Sequence, residues 1–174
     1  MEEAWRYPIG RFERVEDPTP EQLNGWIHGI GEFSKQLRVA VEGLTSEQLQ
    51  APYRPGGWTI RQVVHHLADN DMNAFLRFKK GLTEQAPTAS TYREDLWAEL
   101  DDYRAPIEES LVITEALRKR FTALLRSLDS TDYAKTFVSP AFGLMRLDTA
   151  VQRFDWHGRH HLAQIVSLKE RMGW

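Results

Sequence analysis

Apolar residues recur at three- and four-residue spacing in four long stretches of the chain, and this pattern predicts four amphipathic helices. The first is announced by Thr19-Pro20-Glu21-Gln22, where an N-cap, a proline at the first helical position and a capping-box glutamine follow one another. Leu23, Trp26, Ile30, Phe33, Leu37 and Val41 carry its apolar face to an end near Gly43. A short helical turn at Ser46 to Leu49 and a proline- and glycine-rich loop, Pro52 to Gly57, precede the second helix. That helix starts at Ile60 behind the box Thr59 to Gln62, with Trp58 placed to staple against Val63. Ile60, Val63, Val64, Leu67, Ala74 and Phe75 form its apolar face, and His66, Asn70, Asn73 and Arg77 form a polar seam along one margin. The third helix opens at Pro106 and presents Leu111, Leu117, Phe121, Leu124, Leu125 and Leu128. A third box, Thr149 with Gln152, starts the last helix, whose Val151, Phe154, Gly158, Leu162, Ile165 and Leu168 share one face with His161. His157 lies at the edge of that face and His160 points away from it.

The remaining segments connect these helices. Residues 1–18 contain two prolines and no helical period, which predicts an extended arm docked through Trp5, Tyr7, Ile9 and Phe12. Residues 83–93 form a polar connection, Glu94 to Leu100 a short helix, and Ser139 to Gly143 a turn. No run of strands stands out. The expected fold class is therefore all-α, an up-down four-helix bundle with an N-terminal extended arm, and 174 residues suit a single domain over 1–174.

Composition narrows the chemistry. A net charge of -3 supplies no basic surplus for a polyanion, so nucleic acid is not the expected partner. No stretch reaches the roughly 18 uninterrupted apolar residues of a membrane span, and the expected location is cytoplasmic. The chain has no cysteine, which removes disulfides, thiolate metal ligands and cysteine nucleophiles and leaves histidine and carboxylate for any reaction. Arg118, Lys119, Arg120 and Arg126 read as a solvated helix face, with a weaker alternative as an anion-binding cluster. His28 shares its face with Asn24, Glu32 and Lys35 and reads as a surface residue.

Three of the six histidines crowd into five residues of the last helix: His157, His160 and His161. Two imidazoles four residues apart on one helical face can share a metal ion, as the paired histidines of HExxH helices do. The bland alternative is a pair of hydrogen-bonded core histidines. On the second helix His65 and His66 flank the core on opposite sides, and wheel arithmetic favours His66 by only about 20°, which settles nothing. Facing helices of a bundle are nevertheless a common place to assemble metal sites.

The string Gly56-Gly57-Trp58-Thr59-Ile60-Arg61-Gln62-Val63-Val64-His65-His66-Leu67-Ala68-Asp69, with Trp156-His157-Gly158-Arg159-His160-His161-Leu162-Ala163, closely resembles the YfiT group of the DinB-like four-helix bundles. The resemblance runs from Tyr7-Pro8-Ile9-Gly10 to the closing Arg171-Met172-Gly173-Trp174. It implies a homodimeric bundle holding one divalent metal, zinc or nickel, through His66, which precedes Leu67, and the HxxxH pair His157 and His161. His160 falls outside that pattern. The implied activity is that of a metal-dependent hydrolase on a small-molecule substrate, the three-histidine centre activating the nucleophile. An alternative from related proteins is an S-transferase that adds a low-molecular-weight thiol of the bacillithiol type to an electrophile. A third reading is a non-enzymatic bundle with a structural metal. Asp69, Asn70, Asp71 and Asp155 lie within a turn or so of the implied ligands, but each reads as a capping, core or surface residue, and no general base is assigned.

Overall fold

The computed structural model describes residues 2–174; Met1, the first residue of the expected arm, lies outside them. In chain order the elements are α1 (Glu2–Arg6), α2 (Pro20–Val41), α3 (Ser46–Leu49), α4 (Ile60–Thr83), α5 (Glu94–Trp97), a 3-10 turn (Asp101–Arg104), α6 (Glu108–Arg126), α7 (Ser130–Tyr133), the strands β1 (Thr136–Ser139) and β2 (Gly143–Arg146), and α8 (Leu147–Met172). The four long helices are the four the apolar periodicity predicts. They form the expected four-helix bundle.

Helix starts follow local chemistry at two of the three predicted boxes. The Thr19 and Thr59 hydroxyls accept from the backbone N–H groups of Gln22 and Gln62, whose side-chain oxygens accept from the cap N–H at 2.9 and 3.0 Å. Each reciprocal pair satisfies donors that a helix leaves free at its first turn. The third box does not form: α8 begins at Leu147, three residues before the start that a Thr149 cap would set, with no side-chain cap. Its first turn is occupied by Asp148, which accepts from Thr149 and pairs with Arg146 at 2.7 Å. Gln152 binds elsewhere, accepting from Val15 N–H at 2.9 Å and donating to Val15 C=O at 3.1 Å, so it ties the arm to α8.

Helix direction is not encoded in periodicity, and here it does not simply alternate. Lys169 near the end of α8 donates to Ala40 near the end of α2, so these two run parallel. Arg38 near the end of α2 pairs with Glu108 at the start of α6, and Gly81 late in α4 packs on Leu147 at the start of α8, so both of these pairs are antiparallel. The directions are thus up, down, down, up. Helices α2 and α4 both pack between α6 and α8, which puts sequence neighbours on the diagonals. Residues 84–107 make this possible by returning to the start of α4, where Gln62 donates to Ala98 C=O at 3.0 Å and Arg61 to Arg104 C=O at 2.9 Å.

Two apolar clusters fill the bundle. One gathers Ile30, Phe78, Phe121, Phe154 and Leu147; the other gathers Phe33, Leu37, Ile60, Val63, Val64, Leu67 and Ile165. Burial of each such side chain contributes on the order of 1.5–3 kcal/mol. Arg118, expected on a solvated face, lies inside. Its guanidinium grips Asp71 through two bonds of 2.6 and 3.0 Å and sits 3.7 Å over the Phe33 ring, with both partners 1% exposed. Periodicity assigns charge to the outside because an unpaired charge is costly to bury, and Asp71 offsets much of that cost.

Two further expectations are corrected. The arm is not extended throughout, because Glu2 to Arg6 form a helical turn with glutamates first and arginine last, the order that suits the helix dipole. The turn at Ser139 to Gly143 joins a small antiparallel hairpin, Phe137 opposite Met145 and Val138 opposite Leu144. The polar connection adds to it, Ala89 N–H donating to Val138 C=O at 2.8 Å and Val138 N–H to Pro87 C=O at 2.9 Å. Four-residue strands are too short to show an alternation in sequence.

Candidate metal centre

His66 on α4 and His157 and His161 on α8 meet near mid-bundle, each offering one ring nitrogen such that all three lie within 4.8 Å of one another. The Nε2 atoms of His66 and His157 are 3.3 Å apart. Two nitrogens each about 2.05 Å from a tetrahedral zinc ion are roughly 3.3 Å apart, so this pair already has the spacing of ligands. His66 and His161 are buried, while His157 shows one edge to a cavity of about 630 Å³. Burial pushes the His66 imidazole down to about 4 and holds His157 and His161 well below the usual range, with neighbouring imidazoles adding to the effect on both. All three are therefore neutral at pH 7, the state in which an imidazole can donate a lone pair.

The tautomer of His161 follows from its surroundings. Gln164 lies one turn further along α8, with its side-chain nitrogen 2.9 Å from Arg6 C=O and its oxygen 2.8 Å from His161 Nδ1. A carbonyl only accepts, so the amide nitrogen belongs on the Arg6 side and its oxygen faces His161. Nδ1 of His161 must then carry the proton, which leaves the Nε2 lone pair for a metal. The same amide nitrogen donates to His160 Nε2 at 3.0 Å. On His66 and His157 the Nδ1 atoms are buried without a hydrogen-bond partner among the described residues.

His160 is not the solvent-facing residue the helical wheel predicts. It is 7% exposed, stacked on Trp156 at 4.8 Å and covered by Tyr7 at 5.6 Å. The wheel considers only bundle neighbours, whereas here the arm forms another layer over α8. His65 turns away from the triad to Ser110 Oγ at 2.7 Å and Ala105 C=O at 3.2 Å. His28 is exposed, as its polar face predicts.

The aspartates near the cluster are engaged elsewhere. Asp69 accepts from Tyr103 at 2.6 Å, Asp71 from Arg118, and Asp155 from Arg159 at 2.8 Å. Asn70 lines the cavity. The partner that does touch a triad imidazole, Gln164, was not singled out from the sequence, although its i+3 spacing from His161 would have placed it within reach.

Neighbouring backbone brings the helices together. A Cβ on Gly158, between the two α8 histidines, would lie 3.1 Å from the Phe33 ring and 3.2 Å from Arg118 Nη1. Glycine therefore lets α8 approach α2 closely at the level of the site and leaves room for the Arg118 guanidinium that reaches in from α6. The loop before α4 is pinned by Tyr53 N–H to Trp58 C=O at 3.0 Å and Ile60 N–H to Ala51 C=O at 3.2 Å. It sets the Trp58 ring 4.6 Å from His66 and 6.3 Å from His161, forming one wall of the site.

Comparison with known proteins agrees with this architecture. Residues 32–165 match the family model of the DinB superfamily. A protein of Bacillus mycoides named "Putative metal-dependent hydrolase" is 47% identical over 169 residues, 97% of this chain and 98% of its own length. A Bacillus cereus protein of the same name has the same identity and coverage. YfiT from Bacillus subtilis, described as "a probable metal-dependent hydrolase with an unusual four-helix bundle topology", superposes with a TM-score of 0.96 at 43% identity, covering 98% of this chain and 99% of that one. The chain belongs to the DinB superfamily and, within it, to the YfiT group.

Proposed function

We propose that this chain is a metal-dependent hydrolase acting on a small-molecule substrate, with one divalent metal, zinc or nickel, held by His66, His157 and His161. The convergence of three buried, neutral imidazoles on the wall of a cavity of about 630 Å³ carries this reading. The names of the relatives, with 47% identity along nearly the whole chain, support it. Three protein nitrogens are the donor set of catalytic zinc sites, while structural sites close with four, and no other histidine or carboxylate joins the cluster among the described residues. When bound, the metal supplies a Lewis acid that makes a nucleophile available at neutral pH.

The chain's own residues prepare that chemistry. Gln164 keeps the His161 proton on Nδ1, and Arg6 C=O keeps the Gln164 amide in the orientation this requires. Trp58 and Trp156 line the cavity beside the triad, while Tyr7 and the His160 ring close its side, so the imidazoles are reached from the cavity.

Metal analysis of protein grown with zinc or nickel tests the ligands. About one metal per chain is expected, falling to background in His66→Ala, His157→Ala and His161→Ala; retention in these variants would overturn the assignment. Loaded protein is then offered activated ester, amide and alkyl electrophiles with and without a small thiol. Product without thiol supports hydrolysis. Product only with thiol replaces it by thiol transfer through the same centre.

A further inference from the structure

The cavity carries a charge opposite to that of the chain. Four arginines line it, Arg6, Arg54, Arg77 and Arg153, against one carboxylate, Glu94, whereas the chain as a whole is -3. Two of them stand out. Neither Arg77 nor Arg153 has a carboxylate oxygen within 4.0 Å among the described residues, although both are half-buried. Arg77 donates from Nη2 to Ser90 C=O at 3.2 Å, and its Nε is buried without a partner. Arg153 lies 3.9 Å over the Phe142 ring and 5.5 Å from that of Phe12. Stacking occupies the face of a guanidinium and leaves its in-plane N–H groups free for a forked acceptor. Burial lowers the pKa of both arginines, and the charge of Arg77 lowers that of Arg153 further, with Glu94 acting weakly in the opposite sense.

Helix geometry relates these cations to the triad. Arg153 is one turn before His157 on α8, and Arg77 is three turns beyond His66 on α4. Since α4 and α8 run antiparallel, both arginines lie on the same side of the histidines. The rise along α8 is about 6 Å to His157.

We propose that Arg77 and Arg153 form an anion-binding subsite, so that the molecule acted on at the histidine cluster carries a carboxylate or phosphate group one to three helical turns from its reactive bond. The subsite itself stands on the two arginines; its link to turnover rests on the hydrolase reading above. Two unpaired cations held in one partly desolvated cavity repel each other, and a bound anion with two acceptor oxygens relieves that repulsion while satisfying the free donors.

Calorimetric titration with inorganic phosphate and, separately, with succinate tests this on chelator-stripped protein and on the same protein reloaded with zinc, with metal content measured alongside. At least one anion is expected to bind the stripped protein. Arg77→Gln and Arg153→Gln should each weaken binding tenfold or more, with unchanged circular dichroism, while Arg126→Gln on the exposed end of α6 leaves it unchanged. Arg153→Lys, which keeps the charge without the fork, should recover part of the affinity. The tighter of the two anions identifies the group recognised. No binding to stripped protein, binding indifferent to both glutamine variants, or binding that appears only with zinc and ignores both arginines overturns the subsite. Protein that takes up no zinc yet binds anions through the two arginines retains the subsite and sinks the metal assignment alone.

Discussion

Asp71→Asn removes one charge from the ion pair at the centre of the bundle and leaves Arg118 in place. Both side chains are 1% exposed, and the two bonds between them, 2.6 and 3.0 Å, satisfy Nε and Nη2 of the guanidinium. Nη1 already lacks a partner among the described residues, so no spare acceptor stands ready to replace the lost carboxylate. The Phe33 and Phe154 rings, 3.7 and 4.7 Å from the guanidinium carbon, offset only a part of its charge. Leaving a buried cation uncompensated costs about 3–5 kcal/mol, a large share of the roughly 5–15 kcal/mol that stabilises a typical domain. At about 2–4 °C per kcal/mol for a chain of this size, the melting temperature should fall by roughly 6–20 °C. Urea unfolding of metal-free protein, followed by circular dichroism, measures the difference. The double variant Asp71→Leu, Arg118→Met removes both charges and should recover most of the loss, because well-packed apolar replacements of buried pairs are near neutral. A loss below about 1 kcal/mol in Asp71→Asn would refute the reasoning, since Arg118 would then have found water or another acceptor.

Gly158→Ala should destabilise even though alanine is the better helix former by about 1 kcal/mol, because contacts at 3.1 and 3.2 Å with Phe33 and Arg118 make the site overpacked by about 1–3 kcal/mol; thermal melting gives the sign. Gln164→Leu should weaken zinc binding about 10–100-fold by releasing the His161 tautomer, read by competition with a chelating dye, while Gln164→Glu, which keeps the acceptor, should bind more nearly like the parent. Metal-free protein should lose stability as pH falls from about 6.5 towards 4: His66 and His160, pushed down to about 4 by burial, stay neutral when folded but take up protons when unfolded. The unfolded state binds more protons across that window, so stability rises with pH through it and is fully present above it, by up to about 3 kcal/mol per histidine in urea titrations.

The four helices were legible because their signals are local: apolar spacing sets each face, and the Thr19 and Thr59 boxes set two starts within a single turn of chain. The same box pattern at Thr149 misled because Gln152 is used over a long range, by Val15 of the arm. His160 and Arg118 share one cause of error. A wheel reads solvent from the absence of apolar neighbours on the same helix, and both residues are covered by partners distant in sequence, Tyr7 for one and Asp71 for the other. His66 was separated from His65 only by resemblance, since their wheel positions nearly balance; tertiary packing turns one towards α8 and the other towards Ser110. Gln164 carries no sequence signature beyond its spacing. Its role depends on a backbone carbonyl 158 positions away.

The diagonal arrangement of the bundle has a consequence for how the chain acquires its shape during synthesis. His66 leaves the ribosome 91 residues before His157, and α2 waits for α6 and then for α8, the last helix, of 26 residues, to cover its inner face. A bundle of consecutive hairpins could bury each helix against the one just made. Here α2 meets neither of its packing partners until α6 and then α8 have been made, so long-range contacts weigh on the rate of folding. Until α6 is made the α2 and α4 faces stay exposed, and their α8-facing sides stay so longer, so the nascent chain depends on protection from association through them more than its all-helical composition suggests.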